Sequence, residues 1–159
     1  MASTLSSATM TVRVVESIKL NGTEQGAVNT KTISSINEIS KRIITITTTE
    51  SVIATFSAAA ASAGHYVAAD VRYMRFTNKD DTNFITLTFR NQDNDEVAIK
   101  LDAGQSFMWG ADNNGGMVDV FNATQDADAA SDTALGDLTN IQADANTASC
   151  DLEMFIASV

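Results

Sequence analysis

Four aspartates in the last third of the chain have a spacing that could bind a cation. Asp126, Asp128, Asp132 and Asp137 place carboxylate oxygens at short intervals, and hard cations such as Ca²⁺ prefer oxygen ligands. The run departs from an EF-hand loop, because Ser131 stands where the sharp turn needs glycine and Asp137 replaces the bidentate glutamate. We therefore predict a solvated acidic loop, with these four aspartates as a weak calcium candidate, and no cofactor or other metal.

The single histidine and the single cysteine restrict nucleophilic and metal chemistry. One histidine excludes most histidine-based metal sites, and one cysteine excludes a disulfide framework within the chain. Cys150 begins an alternating C-terminal segment and is predicted to be a core or sheet residue, while His65, between Gly64 and Tyr66, is predicted to lie in a loop. The chain has no Gly-x-Ser-x-Gly elbow, and we predict no catalytic residues.

Two pairs of carboxylates are the remaining candidates for acid–base chemistry. Asp80 with Asp81, and Asp93 with Asp95, offer the residue type that glycoside hydrolysis uses. Both pairs fall in turn-like segments, where aspartate is favoured for hydrogen bonds to the local backbone. A turn role is therefore the preferred interpretation.

Three aromatic side chains could form a platform for stacking sugars. These are Tyr66, Tyr73 and Trp109. A chain with one tryptophan and two tyrosines uses them more often for core packing, so we predict that they are buried.

The elements that would position these residues have a hydrophobic period of two. Apolar and polar residues alternate over residues 84–90, 96–101 and 151–156, as in strands with one buried face. Turn-forming residues separate about ten such segments, so the sequence predicts an all-β fold, a single antiparallel β-sandwich of jelly-roll type. Residues 1–11 are predicted to be a polar N-terminal arm, residues 12–159 the sandwich domain, and residues 122–146 one long acidic surface loop with at most one helical turn.

The charge distribution limits the classes of partner. The chain has 10 basic and 20 acidic residues. All basic residues lie between Arg13 and Lys100, where 10 acidic residues balance them, so the last 59 residues carry the whole net charge of −10. Nucleic-acid affinity depends on clustered lysine and arginine, so we predict no nucleic-acid partner. Residues 51–69 are uncharged, but their small polar residues make a poor membrane span, and the first residues lack a signal-peptide pattern. We predict no membrane partner.

Several segments together resemble one group of proteins. Residues 72–78, 82–87, 101–107 and 141–157, with the opening block of residues 20–43, are similar to small β-sandwich virion structural proteins of tailed bacteriophages, above all those of cyanophages and other marine phages. The resemblance extends from about Val12 to the end and rests on strand and turn patterns rather than catalytic signatures. It implies a non-enzymatic structural role in a virion that is assembled in the host cytoplasm.

Among virion roles, we expect capsid decoration. A cement protein on the outside of the head would form a homo-oligomer, here a trimer, and would contact the major capsid protein or other virion proteins. Residues 1–11 and 122–146 are predicted to make the intersubunit contacts. The alternatives are a tail fibre, collar or adaptor subunit, a carbohydrate-binding module and, last, an enzyme.

Overall fold

The computed structural model describes residues 6–110, 116–123 and 135–159, and this part of the chain is all-β. Its strands, in chain order, are β1 (Ala8–Val15), β2 (Lys19–Leu20), β3 (Thr23–Glu24), β4 (Val28–Ile36), β5 (Glu38–Ile46), β6 (Ser51–Ser57), β7 (His65–Val67), β8 (Val71–Asn78), β9 (Ile85–Asn91), β10 (Glu96–Leu101), β11 (Ser106–Gly110), β12 (Leu138–Ala145) and β13 (Cys150–Ser158). Ten of these have five or more residues, in agreement with the predicted number.

Strands β5 to β13 form two sheets packed face to face. One sheet has five strands in the order β10-β9-β12-β6-β7, and the other has four in the order β11-β8-β13-β5. All neighbours are antiparallel except β6 and β7, which are parallel. The predicted antiparallel β-sandwich is therefore confirmed.

The core between the sheets is built from the alternating residues that the sequence pattern indicates. Phe76 on β8 and Phe89 on β9 are buried, and their rings meet edge to face with centroids 6.4 Å apart. Leu87, Leu152 and Met154 are fully buried in the same cluster. The predicted strands at residues 84–90, 96–101 and 151–156 are accordingly confirmed as β9, β10 and β13. The bounds of β10 are the predicted ones, and those of β9 and β13 differ by one or two residues.

The prediction of one long loop over residues 122–146 is wrong from Leu138 onward. Those residues form β12, a central strand between β9 and β6. A β-bulge between Leu138 and Asn140 shifts the alternation by one residue, so Leu138 and Ile141 both point into the core although they are three positions apart. The hydroxyl of Thr139 fills the bulge by donating to the carbonyls of Arg90 and Asn91.

Residues 117–121 form no strand and make only an isolated bridge, between Phe121 and Gly136. Asp119 has a φ of 50°, which breaks an extended strand, and its N–H is held by the carboxylate of Asp137 at 2.8 Å.

The segment before the sandwich is one continuous β-hairpin, which we call the N-terminal hairpin (residues 8–36). A single register runs from the pair Met10–Ile33 to the pair Leu20–Thr23, across the gaps between β1 and β2 and between β3 and β4. At its tip, Asn21 and Gly22 both have positive φ, as a type I′ turn requires. Residues 8–11 of the predicted polar arm belong to this hairpin, whereas residues 1–5 lie outside the described part of the chain.

The base of the hairpin packs on the outer face of the four-stranded sheet. Ile33 and Ile36 are buried there against Tyr73 and Ala157. This small second core attaches the hairpin to the sandwich as a third layer.

Candidate interaction surface

The outer face of the four-stranded sheet has a polar row across its middle. Arg75 on β8 donates to Glu153 on β13 at 2.5 Å, and Lys41 on β5 lies 3.8 Å from the same carboxylate. These cations, and above all the hydrogen bond from Arg75, lower the pKa of Glu153 below its usual value. Glu153 therefore stays ionised and fixes two cationic side chains on this face.

Apolar side chains flank this row at the edge of the same face. Ile39 and Ile43 lie on β5 on either side of Lys41, and their side chains are 58% and 62% exposed. Within the described residues, β5 has β13 on one side and no strand on the other. The edge thus combines unpaired backbone with exposed isoleucine, a combination that favours association with another chain.

A second exposed apolar surface lies at the tip of the N-terminal hairpin. Ile18 and Leu20 are 55% and 59% exposed, while Val15 and Val28, a directly opposed pair, are 57% and 54% exposed. Val15 and Val28 are a single pair on one face, whereas Ile18 and Leu20 continue the row of apolar residues from the hairpin base on the other face. An isolated two-stranded hairpin is marginally stable in water, so this exposed row indicates a surface used for binding.

The hairpin base and the sheet border an open pocket of about 250 Å³. Val12 and Val14 line it from the hairpin, and Tyr73 and Met108 line it from the sheet. This pocket extends the apolar contact of the hairpin base as far as Val14.

The calcium candidate is only partly within the described residues. Asp126, Asp128 and Asp132 lie outside them. Asp137 is described, and one of its carboxylate oxygens accepts the N–H of Asp119. In the described part of the chain, no three histidine, cysteine or acidic side chains come together as a metal site would need.

His65 and Cys150 have different neighbours. His65 lies in β7 rather than in a loop, beside Gly64 and Arg42. Cys150 is buried in β13, as predicted, and its thiol contacts the carbonyl of Ala148. Burial, followed by the carboxylate of Asp80, raises the pKa of the Cys150 thiol, which makes it a poor nucleophile near neutral pH.

In each pair of carboxylates, at least one side chain accepts hydrogen bonds within its turn. Asp80 accepts the backbone N–H groups of Thr82 at 2.8 Å and Asn83 at 2.6 Å, and these bonds lower its pKa. Asp95 accepts a hydrogen bond from the side chain of Asn91. The turn interpretation of both pairs is supported by these contacts.

Two buried asparagines that organise these turns were missed in the sequence. Asn78 donates to the carbonyls of Asn83 at 2.8 Å and Leu101 at 3.1 Å, and its side-chain oxygen accepts the N–H of Asp80. Asn91 accepts the N–H groups of Asp93 and Asp95, both at 2.9 Å. The available signal was an asparagine that ends a strand just before an acidic turn.

The aromatic side chains are packed inward. Trp109 lies 5.3 Å from Phe89 and is half-buried, Tyr66 is buried with its hydroxyl bonded to Ser40, and Tyr73 is buried against Phe155. These contacts leave the three rings unable to form a joint sugar-stacking platform on the surface.

Comparison of the chain with protein-family models, with curated proteins and with solved structures finds no match. Across the described residues, no helix has the length and apolar character needed to cross a membrane.

Proposed function

We propose that this chain is a non-enzymatic structural protein of a tailed-bacteriophage virion, which decorates the outside of the capsid as a homo-oligomer. One observation carries the proposal. A closed sandwich core is joined to a hairpin whose tip exposes Ile18 and Leu20, and these side chains need a neighbouring subunit to cover them. A repetitive virion component supplies such neighbours.

The order of the strands supports the jelly-roll form of the sandwich. When the three-residue β7 is set aside, β5 pairs with β13, β6 with β12, β8 with β11 and β9 with β10. This nested pairing is that of one long double-stranded ribbon wrapped into two sheets, which is the arrangement of capsid-type jelly rolls. It agrees with the resemblance to phage β-sandwich proteins.

The charge of the chain fits a place outside the shell. A net charge of −10 repels packaged DNA and does not hinder contact with the outer surface of a protein capsid. The side chains weighed for catalysis have structural contacts: Asp80 organises a turn and Cys150 is buried in a strand. A purely binding role requires no chemical reaction at these side chains.

Electron microscopy of virions tests the proposal. Gold-labelled antibody against the purified chain is applied to virions of the phage whose genome encodes it, with antibody against the major capsid protein as the positive control. Label spread over the whole head supports capsid decoration. Label at one vertex or along the tail would replace it with the tail fibre, collar or adaptor alternative, and unlabelled particles would overturn the virion role.

Binding to glycans tests the carbohydrate-binding alternative. Because Tyr66, Tyr73 and Trp109 are packed inward, we expect no binding to host-surface glycans above that of an unrelated acidic protein. Saturable binding that is lost in Trp109→Ala would contradict the proposal.

A further inference from the structure

One face of the N-terminal hairpin carries a continuous row of mostly apolar residues. Because side chains alternate along a strand and the register is unbroken to the tip, Met10, Val12, Val14, Ile18 and Leu20 share this face. We call this row the apolar stripe. Glu16 is its one charged member on this strand.

The two halves of the apolar stripe have different environments. Met10 and Val12 pack on the outer face of the four-stranded sheet, in the second core around Ile33. Ile18 and Leu20 extend past that contact and are more than half exposed. The stripe is therefore longer than the surface that its own subunit offers.

From this mismatch we infer that the tip half of the apolar stripe docks on the outer face of the four-stranded sheet of a second copy of this chain. The base half already binds a surface of this kind within its own subunit, so the tip would repeat the same type of contact between subunits. The inference deepens the proposed function, on which its biological use rests.

The acceptor on the second copy is the edge strand β5. Its exposed residues run Ile39, Lys41, Ile43, with a cation between two apolar side chains. The tip offers Ile18 and Leu20 next to the carboxylate of Glu16. The two rows thus match in apolar character. Lys41 lies 3.8 Å from Glu153 of its own subunit, but its side chain is 60% exposed, so it can also attract the carboxylate of Glu16.

The overall charges also favour a second copy as the occupant. The hairpin has three basic residues, Arg13, Lys19 and Lys31, and two acidic ones, Glu16 and Glu24, for a net charge of +1, which leaves −11 on the rest of the chain. Two bodies of this kind repel each other, but the hairpin of one is attracted to the body of the other. A contact between hairpin and sheet joins two different surfaces, so it can close into a ring such as the proposed trimer or be made reciprocally in a dimer.

The mass of the full-length protein in solution is the first test. Light scattering after size-exclusion chromatography is expected to give a multiple of 16.9 kDa. In the variant Ile18→Ser/Leu20→Ser, the dissociation constant is expected to rise at least about tenfold, because two apolar side chains no longer lose contact with water. The matched control is Val15→Ser/Val28→Ser, which changes equally exposed residues on the opposite face of the same hairpin and is expected to leave the mass unchanged.

Cysteine cross-linking between copies tests the acceptor. A Leu20→Cys chain mixed with an Ile43→Cys chain is expected to give a mixed disulfide under mild oxidation, since a disulfide needs Cα atoms within about 7 Å. Val28→Cys mixed with Ile43→Cys is the control and is expected to give much less. The native Cys150 is buried and remains in every variant.

Three results would overturn the inference. They are a monomer at all concentrations up to about 1 mM, where even weak contacts are populated, equal losses of mass in the two double-serine variants, and equal cross-linking of Leu20→Cys and Val28→Cys. If Ile18→Ser/Leu20→Ser keeps the oligomer and loses capsid binding, the stripe binds a different virion protein and the inference is also wrong. Failure of the proposed function is recognised separately, by unlabelled virions while the purified chain still forms the stripe-dependent oligomer.

Discussion

The sandwich and the N-terminal hairpin of this chain are both built from antiparallel strands, but they differ in how many of their apolar residues are buried. In the sandwich, each of the central strands β6, β8, β9, β12 and β13 has strand neighbours on both sides and turns apolar residues into a shared core. In the hairpin, β1 pairs only with β4 and β2 only with β3, and only Ile33 and Ile36 are buried.

Residues that make the fold therefore differ in their surroundings from residues that are available for binding. The inward-facing apolar residues of the sandwich pack within the chain, whereas Ile18 and Leu20 at the hairpin tip, like Ile39 and Ile43 on the outer face of β5, are exposed to water. We therefore expect substitutions in the two regions to differ in what they change, folding stability in one case and association in the other.

The largest effect is expected from Phe76→Ala in the sandwich core. Phe76 is fully buried against Phe89, so its loss leaves a cavity and should lower the free energy of unfolding by about 3–5 kcal/mol. Chemical denaturation measures this, with Val28→Ala in the hairpin as a control that should change stability by less than about 0.5 kcal/mol. Similar losses in both variants would contradict the difference between a packed sandwich core and an exposed hairpin.

A smaller and local effect is expected from Ile33→Ala at the base of the hairpin. The substitution should weaken docking of the hairpin by about 2 kcal/mol or more, because Ile33 is fully buried. Hydrogen exchange should then lose protection in β1 and β4 and keep it in β8 and β13. A drop in the global unfolding temperature as large as that of Phe76→Ala would show instead that the hairpin belongs to the sandwich core.

Substitution of a turn asparagine is expected to lower global stability in the sandwich and only local stability in the hairpin. Asn78→Ala removes three hydrogen bonds and leaves the buried Leu101 carbonyl without that donor, so it should cost about 1–3 kcal/mol of global stability. Asn21→Ala in the exposed hairpin turn should cost about 1 kcal/mol and act on the hairpin alone, through the positive φ. Thermal unfolding followed by circular dichroism distinguishes the two.

The smallest effect is expected from Asp144→Asn on β12. Burial, and then the nearby Glu50, raises the pKa of Asp144, so its ionised form is disfavoured in the folded chain. An acid whose pKa is raised by folding lowers the free energy of unfolding once it ionises. The loss begins as the pH rises through the unfolded pKa of 3.8 and is complete above the folded pKa. The variant should therefore be more stable at pH 7, by up to about 0.5 kcal/mol, and no more stable at pH 2. A gain for Asp144→Asn at pH 2 would contradict the electrostatic explanation.

Much of the fold was predictable because most strands alternate without interruption. The turn Asn21-Gly22 and the alternation in β9, β10 and β13 were visible in the sequence. β12 was missed because its bulge breaks the period of two, and because Ala143 and Ala145, although buried, are weak apolar signals.

The candidate surface was harder to predict than the sandwich. The sequence indicated a polar arm at residues 1–11, but it did not indicate that the hairpin, rather than that arm, would expose Ile18 and Leu20. Exposure depends on what the rest of the chain places over a residue, and Met10 and Leu20 follow the same local pattern although only Met10 is packed against a sheet. Tertiary placement of this kind is not encoded in local periodicity.

The nested strand pairing has a consequence for how the chain acquires its structure. The hairpin pairs residues that are close in sequence and can form within microseconds, while β5 pairs with β13, whose Cα partners run from Cys150–Ile46 to Ser158–Glu38. Contacts between such distant segments make folding slow, and β5 has no sheet partner until β13 has been synthesised. We therefore expect the hairpin of a growing chain to form early but only transiently, since an isolated hairpin is marginally stable in water, and to become fixed when β13 supplies Ala157 to its base.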